Sequence, residues 1–235
     1  MKQICLWVLF AALSSVIAAQ TDPGVPEMTV EQSYLSETVE LAIIREQSRS
    51  SSHESKLAAL DYITAAINRG SKNDEIRVSL EYLALEGVVN VTRENGRVVN
   101  NFPDIRKQAA ASLGQLATPE AKTTLLKIVS SEKDPMVIAE AIKSLGIIGS
   151  SGSDEVTATI AWTVNRLHNI SPNNIVAFSA LETFDKIAAA NNGLLDRNII
   201  ETITRISESH SYVTSVRNRA KLVLENLKKY RLNQG

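Results

Sequence analysis

The 235-residue sequence predicts an all-α fold, a right-handed α-solenoid of stacked helix pairs into which one β-hairpin is inserted. The first observation is a near-repetition: the segment IRKQAAASLG at 105–114 is followed 32 residues later by VIAEAIKSLG at 137–146. A period in the thirties on a helical pattern is typical of stacked helix pairs. The second is the helical spacing of apolar residues on either side of these segments. The third is an Asn-Gly pair within the valine-rich segment 88–99, which predicts a hairpin.

The N-terminus resembles a secretory leader. Lys2 is followed by an apolar run over 4–17, which is too short to span a bilayer as a mature helix, and cleavage is expected after Ala18 or Ala19. This interpretation divides the chain into a signal peptide over 1–19, a linker over 20–29 and a solenoid over 30–235. A buried N-terminal helix is the alternative. The signal peptide predicts export, to the periplasm or the exterior of a bacterium.

Composition excludes several functional classes. The formal net charge is −1, whereas a general nucleic-acid binder carries a surplus of Lys and Arg. Cys5, the single cysteine, lies in the leader, so the mature chain is expected to have no disulfide, cysteine nucleophile or cysteine-based zinc site. No second apolar run is long enough to cross a membrane, so stable insertion after cleavage of the leader is not expected.

Charge is unevenly distributed between the two ends. Residues 20–60 carry seven acidic and three basic side chains, whereas residues 211–235 carry six basic side chains and one acidic side chain. The basic C-terminus fits ordinary helix electrostatics. It also allows a second interpretation, head-to-tail self-association of acidic and basic ends.

Helix boundaries are marked by local chemistry. Proline begins a helix at Pro103, and an oxygen-bearing cap followed by proline begins one at Pro119, Pro135 and Pro172, while glycine ends one at Gly70 and Gly87. The predicted helices span 30–46, 54–69, 74–86, 104–116, 119–131, 135–148, 154–168, 173–190, 195–208 and 212–230. The first and last cap four helix pairs.

The predicted hairpin, at about 88–100, interrupts this helical pattern. Asn95-Gly96 supplies the two positive-φ residues of a type I′ turn, and Glu94 would then face Arg97 across it. A two-stranded hairpin is marginal alone and must pack on something. It is either an internal brace or a projecting contact element. For the second case the predicted partner-binding residues are Val91, Arg93, Glu94, Arg97 and Val98.

Two segments carry a resemblance to HEAT repeats. The family pattern is Asp, often with Pro, then Val-Arg, Ala and Leu-Gly. The segment 103–114 is similar to it throughout, and 134–146 differs mainly by Ile138 in the arginine position. A small residue recurs at Ala109, Ala141, Ala180 and Ala220. The resemblance implies a curved solenoid that binds other proteins along one surface. Pigment-attaching lyases and DNA glycosylases also contain such repeats, but the cysteine-free mature chain and its charge argue against both.

The sequence shows no catalytic pattern and predicts no cofactor or metal. His53, His168 and His210 lie in separate repeats without metal-ligand spacing, and are interpreted as cap or surface residues. Arg77, Arg106 and Arg217 are interpreted as members of an ion-pair ladder between neighbouring repeats, rather than as anion binders. Trp162, beside Ile160 and Val164, is interpreted as a core residue, with a ligand platform as the alternative.

We therefore expect a non-catalytic scaffold or adaptor, exported from the cytoplasm, that binds one or more proteins. The alternative is a periplasmic ligand-binding or enzyme-accessory protein that uses the concave face of the solenoid. A deep apolar pocket beside Trp162 or the hairpin would favour the alternative, and a broad polar surface the scaffold.

Overall fold

The computed structural model describes residues 29–149, 153–194 and 196–232. The predicted signal peptide, and the linker apart from Thr29, lie outside these residues. Within them the chain folds into ten helices and two short strands. The helices are α1 Val30–Arg49, α2 His53–Asn68, α3 Asp74–Leu85, α4 Pro103–Leu116, α5 Pro119–Ser131, α6 Pro135–Ile148, α7 Ser153–Ile170, α8 Asn174–Asn191, α9 Arg197–Glu208 and α10 Thr214–Leu232. The strands are β1 Arg93–Glu94 and β2 Arg97–Val98. No helix in the described ranges combines the length and apolar character that a membrane crossing requires.

The chain divides into two compact units, Met1–Glu37 and Thr38–Gly235. In the first unit, the described residues are the beginning of α1. Thr29 caps this helix: its side-chain oxygen accepts from the Gln32 backbone amide at 3.2 Å, while Gln32 Oε1 accepts from the Thr29 amide at 3.1 Å. This reciprocal arrangement is a capping box, which satisfies two amides that otherwise lack helical partners.

The second unit is built from two rows of helices. In one row α2, α4, α6, α8 and α10 contact one another in succession, and in the other α3, α5, α7 and α9 do so. One cluster of buried apolar side chains extends through this unit from Ile44 to Leu227. Successive contacts within each row are the packing of an α-solenoid, so the predicted fold class is confirmed.

Small residues allow the first row to pack closely. The four aligned alanines, Ala109, Ala141, Ala180 and Ala220, are fully buried. At Gly114 of α4, an added Cβ would lie 2.6 Å from the Ser144 Cβ of α6. At Gly146 of α6, it would lie 2.9 Å from Thr183 Oγ1 of α8. The glycine of the Leu-Gly motif therefore receives the next helix of the row.

The predicted hairpin is present between α3 and α4, but its strands are only two residues long. Asn95 and Gly96 have φ values of 49° and 80°, and Glu94 pairs with Arg97, as the Asn-Gly turn predicts. The valines before the turn do not extend the strand. The backbone amides of Val88 and Val89 instead donate to the Leu85 carbonyl oxygen, which wraps the chain around the end of α3.

Candidate functional site

The base of the hairpin is fixed by Asn100, whose side chain is buried. Its Nδ2 donates to the Asn90 carbonyl oxygen at 2.8 Å, and its Oδ1 accepts from the Thr92 amide at 2.9 Å. Gly87 has a positive φ and lies so close to the Asn100 carbonyl oxygen that an added Cβ would be 2.4 Å from it. The base is therefore part of the structural framework, while the residues from Arg93 to Arg97 are exposed.

The two faces of the hairpin have different surroundings. Val91, Arg93 and Val98 line a cleft. Arg93 pairs with Val98, so these two side chains share one face, whereas the adjacent pair of Glu94 and Arg97 lies on the other because strand side chains alternate. The structure thus brings together three of the five residues that the sequence predicts for partner binding. The remaining two point away from them.

The cleft has a volume of about 570 Å³ and lies between the hairpin and the ends of three helices. Its other walls come from the beginning of α4, the end of α5 and the beginning of α6. The lining residues are Gly87, Val88, Val91, Arg93, Val98, Asn101, Pro103, Arg106, Ser131, Glu132, Lys133, Asp134 and Pro135. Valines and prolines therefore form much of its wall, and charged groups occur at its floor and rim.

A buried ion pair forms the floor. Arg106 Nε donates to Glu132 Oε2 at 2.6 Å, with both side chains at most 3% exposed. Glu132 Oε1 also accepts from the backbone amides of Lys133 and Asp134 at 2.7 and 3.0 Å. Because Glu132 has these partners within the protein, its carboxylate is a structural group rather than a free ligand for a bound molecule.

The rim carries cations whose charge is not neutralised locally. Arg93 donates only to the Gly96 carbonyl oxygen, at 3.3 Å, and Lys133 is exposed. Within the described part of the chain, neither has a carboxylate partner. Asp134 is already engaged, since its Oδ1 accepts from the Met136 and Val137 amides at the start of α6. The cleft therefore presents a positive rim.

Beneath the cleft, the ion pair belongs to a ladder that links successive helix pairs. Arg106 of α4 binds Glu132 after α5 and also donates to the Glu86 carbonyl oxygen after α3, at 3.3 Å. Lys56 of α2 repeats this arrangement: its Nζ lies 2.7 Å from Glu86 Oε2 and 3.0 Å from the Ser48 carbonyl oxygen in α1. Glu86 is thus shared by both cations.

The ladder differs from the one predicted. The acidic partner of Arg106 lies in its own helix pair, and the contact with the preceding pair is made to a backbone carbonyl. Arg77 is not part of it, because it pairs with Asp74 and Glu81 of its own helix. Arg217 donates to the Thr214 hydroxyl one turn earlier.

Lys56 was not predicted as a ladder member, although a signal for it exists. It lies three residues before the buried Ala59, as Arg106 lies three residues before Ala109. Applying the alanine register to the first helix pair would have identified it.

Trp162 is not a core residue, so that prediction is wrong. Its side chain is 55% exposed, and the Arg166 guanidinium carbon lies 5.0 Å from the centre of its ring. It borders a smaller groove, of about 260 Å³, between α7 and α9, together with Asp196, Glu201 and Arg205. At about 100° per residue, Trp162 lies about 200° around the helix from the buried Ile160, which places it on the opposite face.

Two of the three histidines contact side chains that are distant in the sequence. His53 Nε2 lies 2.7 Å from Asp104 Oδ2, and His168 Nδ1 lies 3.2 Å from the Tyr212 hydroxyl. Burial raises the pKa of Tyr212 above its ordinary value. In the described ranges no three His, Cys, Asp or Glu side chains form a group suited to a metal ion.

At the basic C-terminal end, one of the cations is used internally. Arg219 of α10 pairs with Glu182 and Asp185 of α8. Burial opposes the charge on Arg219, but the hydrogen bonds to these two carboxylates outweigh burial and raise the pKa of Arg219. Asp185 lies five residues after Ala180, the position that Gly114 and Gly146 occupy after their alanines. An ion pair therefore replaces the glycine contact at this helix junction.

The fold and the repeat agree with known proteins. The family model of HEAT repeats matches residues 97–166, which include α4 to α6 and most of α7. These comparisons support a HEAT-like repeat protein. A solved structure of the complex of CpcE and CpcF of phycocyanin lyase from Nostoc sp. PCC7120 is similar with a TM-score of 0.53 and 18% identity. The match covers 92% of this chain and 70% of that chain. No curated protein matches the sequence.

Proposed function

We propose that this protein is a non-catalytic scaffold that binds another protein in the cleft beside its hairpin. The observation that carries the proposal is the composition of this cleft. One wall is the Val91–Arg93–Val98 face of a hairpin that is fixed at its base, and the opposite wall consists of helix ends held by a buried ion pair. A partner would meet a preformed surface, which limits the ordering entropy lost on binding.

The chemistry of the lining residues supports binding rather than catalysis. The carboxylates of Glu132 and Asp134 accept hydrogen bonds from protein groups, and Arg106 is paired. Val91, Val98 and Pro103 offer rigid apolar surface beside them. Apolar walls with a few placed polar groups are typical of binding sites.

The test is a substitution on the helix side of the cleft, which fills the cleft and leaves the sequence of the hairpin unchanged. Ser131, the exposed last residue of α5, lines the cleft, and Ser131→Tyr would occupy part of it. Ser171→Tyr, just after α7 in the same row, is the matched control. Proteins captured from an envelope extract and cross-linked to the wild-type chain should be lost with Ser131→Tyr and retained with Ser171→Tyr. Equal capture by both variants would contradict the proposed site.

Export to the periplasm or the exterior is part of the same proposal. It depends on the apolar run over 4–17 and the small residues after it. Expression of the full chain with cell fractionation and N-terminal sequencing tests it. Cleavage after Ala18 or Ala19 and recovery outside the cytoplasm are expected, and an intact N-terminus in the cytoplasmic fraction would contradict export.

An enzyme-accessory or ligand-binding role is the second candidate. The groove beside Trp162 favours it, because an exposed tryptophan next to Asp196, Glu201 and Arg205 can stack on a ligand and hold its polar groups. The similarity to a lyase complex is a further reason to consider it. Trp162→Ala separates the two roles: loss of function with this variant, and not with Ser131→Tyr, would favour the accessory role.

A further inference from the structure

We propose that the occupant of the hairpin cleft is an extended segment of a partner protein that carries an acidic side chain next to an apolar one. This inference rests on the proposed function, and it adds the chemical class of the partner. It follows from the separation of charge at the cleft.

The carboxylates of the cleft are used internally, while two of its cations are not. Glu132 accepts from Arg106 and two backbone amides, and Asp134 accepts from the amides that begin α6. Arg93 and Lys133, from opposite walls, are exposed and have no carboxylate partner in the described ranges. A carboxylate between these walls would gain charge-assisted hydrogen bonds, whereas a cation there would be repelled.

The apolar part of the occupant is indicated by the wall. Val88, Val91 and Val98 contribute branched side chains from the hairpin, and Pro103 and Pro135 contribute rings from two helix starts. These side chains have little rotamer freedom to lose, so an apolar side chain can be buried against them at small entropic cost. A cleft of about 570 Å³ has room for a few side chains, which suits a chain segment rather than a compact domain.

The hairpin supplies a matched control. Arg97 is exposed like Arg93 and directly follows the turn, but the pairing of Glu94 with Arg97 places it on the face that does not line the cleft. Arg93→Ser and Arg97→Ser therefore remove the same charge from the same turn. A difference between them cannot come from net charge.

The experiment begins with a random peptide library displayed on phage and selected against the full chain at low salt. Selected peptides should carry Asp or Glu beside Val, Ile, Leu or Pro. A blocked synthetic peptide of the selected sequence is then measured by fluorescence anisotropy. Arg93→Ser and Lys133→Ser should each weaken binding about tenfold, as should replacing the peptide's acid by its amide, while Arg97→Ser should change it less than about twofold. Thermal melting confirms that the variants fold.

Each of the following results would overturn the inference, and they can be distinguished from one another. Selection of neutral or basic peptides whose binding is blocked by Ser131→Tyr but unchanged by Arg93→Ser would retain the cleft as a binding site. It would contradict the acidic character of the partner. Acidic peptides weakened equally by Arg93→Ser and Arg97→Ser would show nonspecific charge attraction. Failure to select any peptide whose binding Ser131→Tyr blocks would contradict both the peptide site and the proposed function. Arg93-dependent sedimentation of the protein with phosphatidylglycerol vesicles would also contradict both.

Discussion

Arg106 and Lys56 show how one position can determine the interior of a repeat. Each lies three residues before a buried alanine, and each binds the carboxylate that follows the second helix of its pair. Both cations also donate to a backbone carbonyl oxygen at the end of the preceding helix. A cation near a helix C-terminus is favoured by the helix dipole, so the same residue stabilises two helix ends.

At this scale we expect Arg106→Met to destabilise the protein by about 3–5 kcal/mol, because Glu132 would remain buried without its partner. Arg197→Met removes an exposed pair with Glu201 on one helix and should change the unfolding free energy by no more than about 0.5 kcal/mol. Urea denaturation followed by circular dichroism measures both. Similar losses in the two variants would contradict the structural role of the ladder.

Individual residues also show the limits of sequence reasoning. Arg106 could be predicted because its motif is intact, whereas Lys56 is identified only by its register three residues before Ala59, since a lysine in a helix is ordinarily solvated. Trp162 was placed in the core from its apolar neighbours. The position of Trp162 around the helix determines its burial instead, and using that position requires knowing which face of α7 is covered.

Among the elements, the contact between α4 and α6 is where the repeat motif acts. Gly114 admits Ser144, whose Cα would lie 3.0 Å from an added Cβ. Backbone at this distance cannot rotate away as a side chain does. The Leu-Gly motif is thus explained by the approach of the next helix.

We therefore expect Gly114→Ala to destabilise the protein by about 1–3 kcal/mol through overpacking, even though alanine favours a helix over glycine by about 1 kcal/mol. Gly146→Ala meets side-chain atoms of Thr183 first and should be less damaging. The double variant Gly114→Ala/Ser144→Gly should recover part of the loss. Thermal unfolding of the three variants tests this, and a more stable Gly114→Ala would show that the helices can separate freely.

The hairpin combines a predictable turn with an unpredictable extent. Asn95-Gly96 determines the turn through its positive φ values, which are local properties of the two residues. The strands stop after two residues because the chain before β1 is bound to the end of α3 and, through Asn90 and Thr92, to the side chain of Asn100. Such competition arises from tertiary contacts and is invisible in the valine pattern.

The division between base and tip gives a further expected outcome. Asn100→Ala leaves the Thr92 amide without its partner and removes one of the two donors to the Asn90 carbonyl oxygen, and should lower stability by about 1–3 kcal/mol. Arg97→Ser at the tip should leave stability within about 0.5 kcal/mol of the wild type. Calorimetry compares them. Equal stability would mean that the base does not brace the chain.

In the second unit, each central helix contacts a neighbour on both sides within its row, whereas the last helix has a neighbour in its row on one side. α6 contacts α4 and α8, whereas α10 contacts α8 and α9 and has no helix beyond it in the described residues. In a stack of this kind stability depends on nearest neighbours, and opening begins where a neighbour is absent.

Hydrogen exchange should therefore be slowest in α4, α6 and α8 and faster in the C-terminal half of α10. Mass spectrometry of peptic fragments resolves these helices. Uniform protection along the second unit would indicate that it unfolds as one cooperative block rather than from its end.

The anchoring of the turn between α3 and α4 separates what holds the protein together from what it offers to others. Gly87, Asn90 and Asn100 serve the fold, while residues 93–97 are exposed and make few contacts with it. Sequence drift at Arg93, Glu94 and Arg97 is therefore tolerated by the core as long as Asn95 and Gly96 keep the positive-φ turn. Natural divergence or grafting at these positions can change the binding specificity of the protein while its helices stay unchanged.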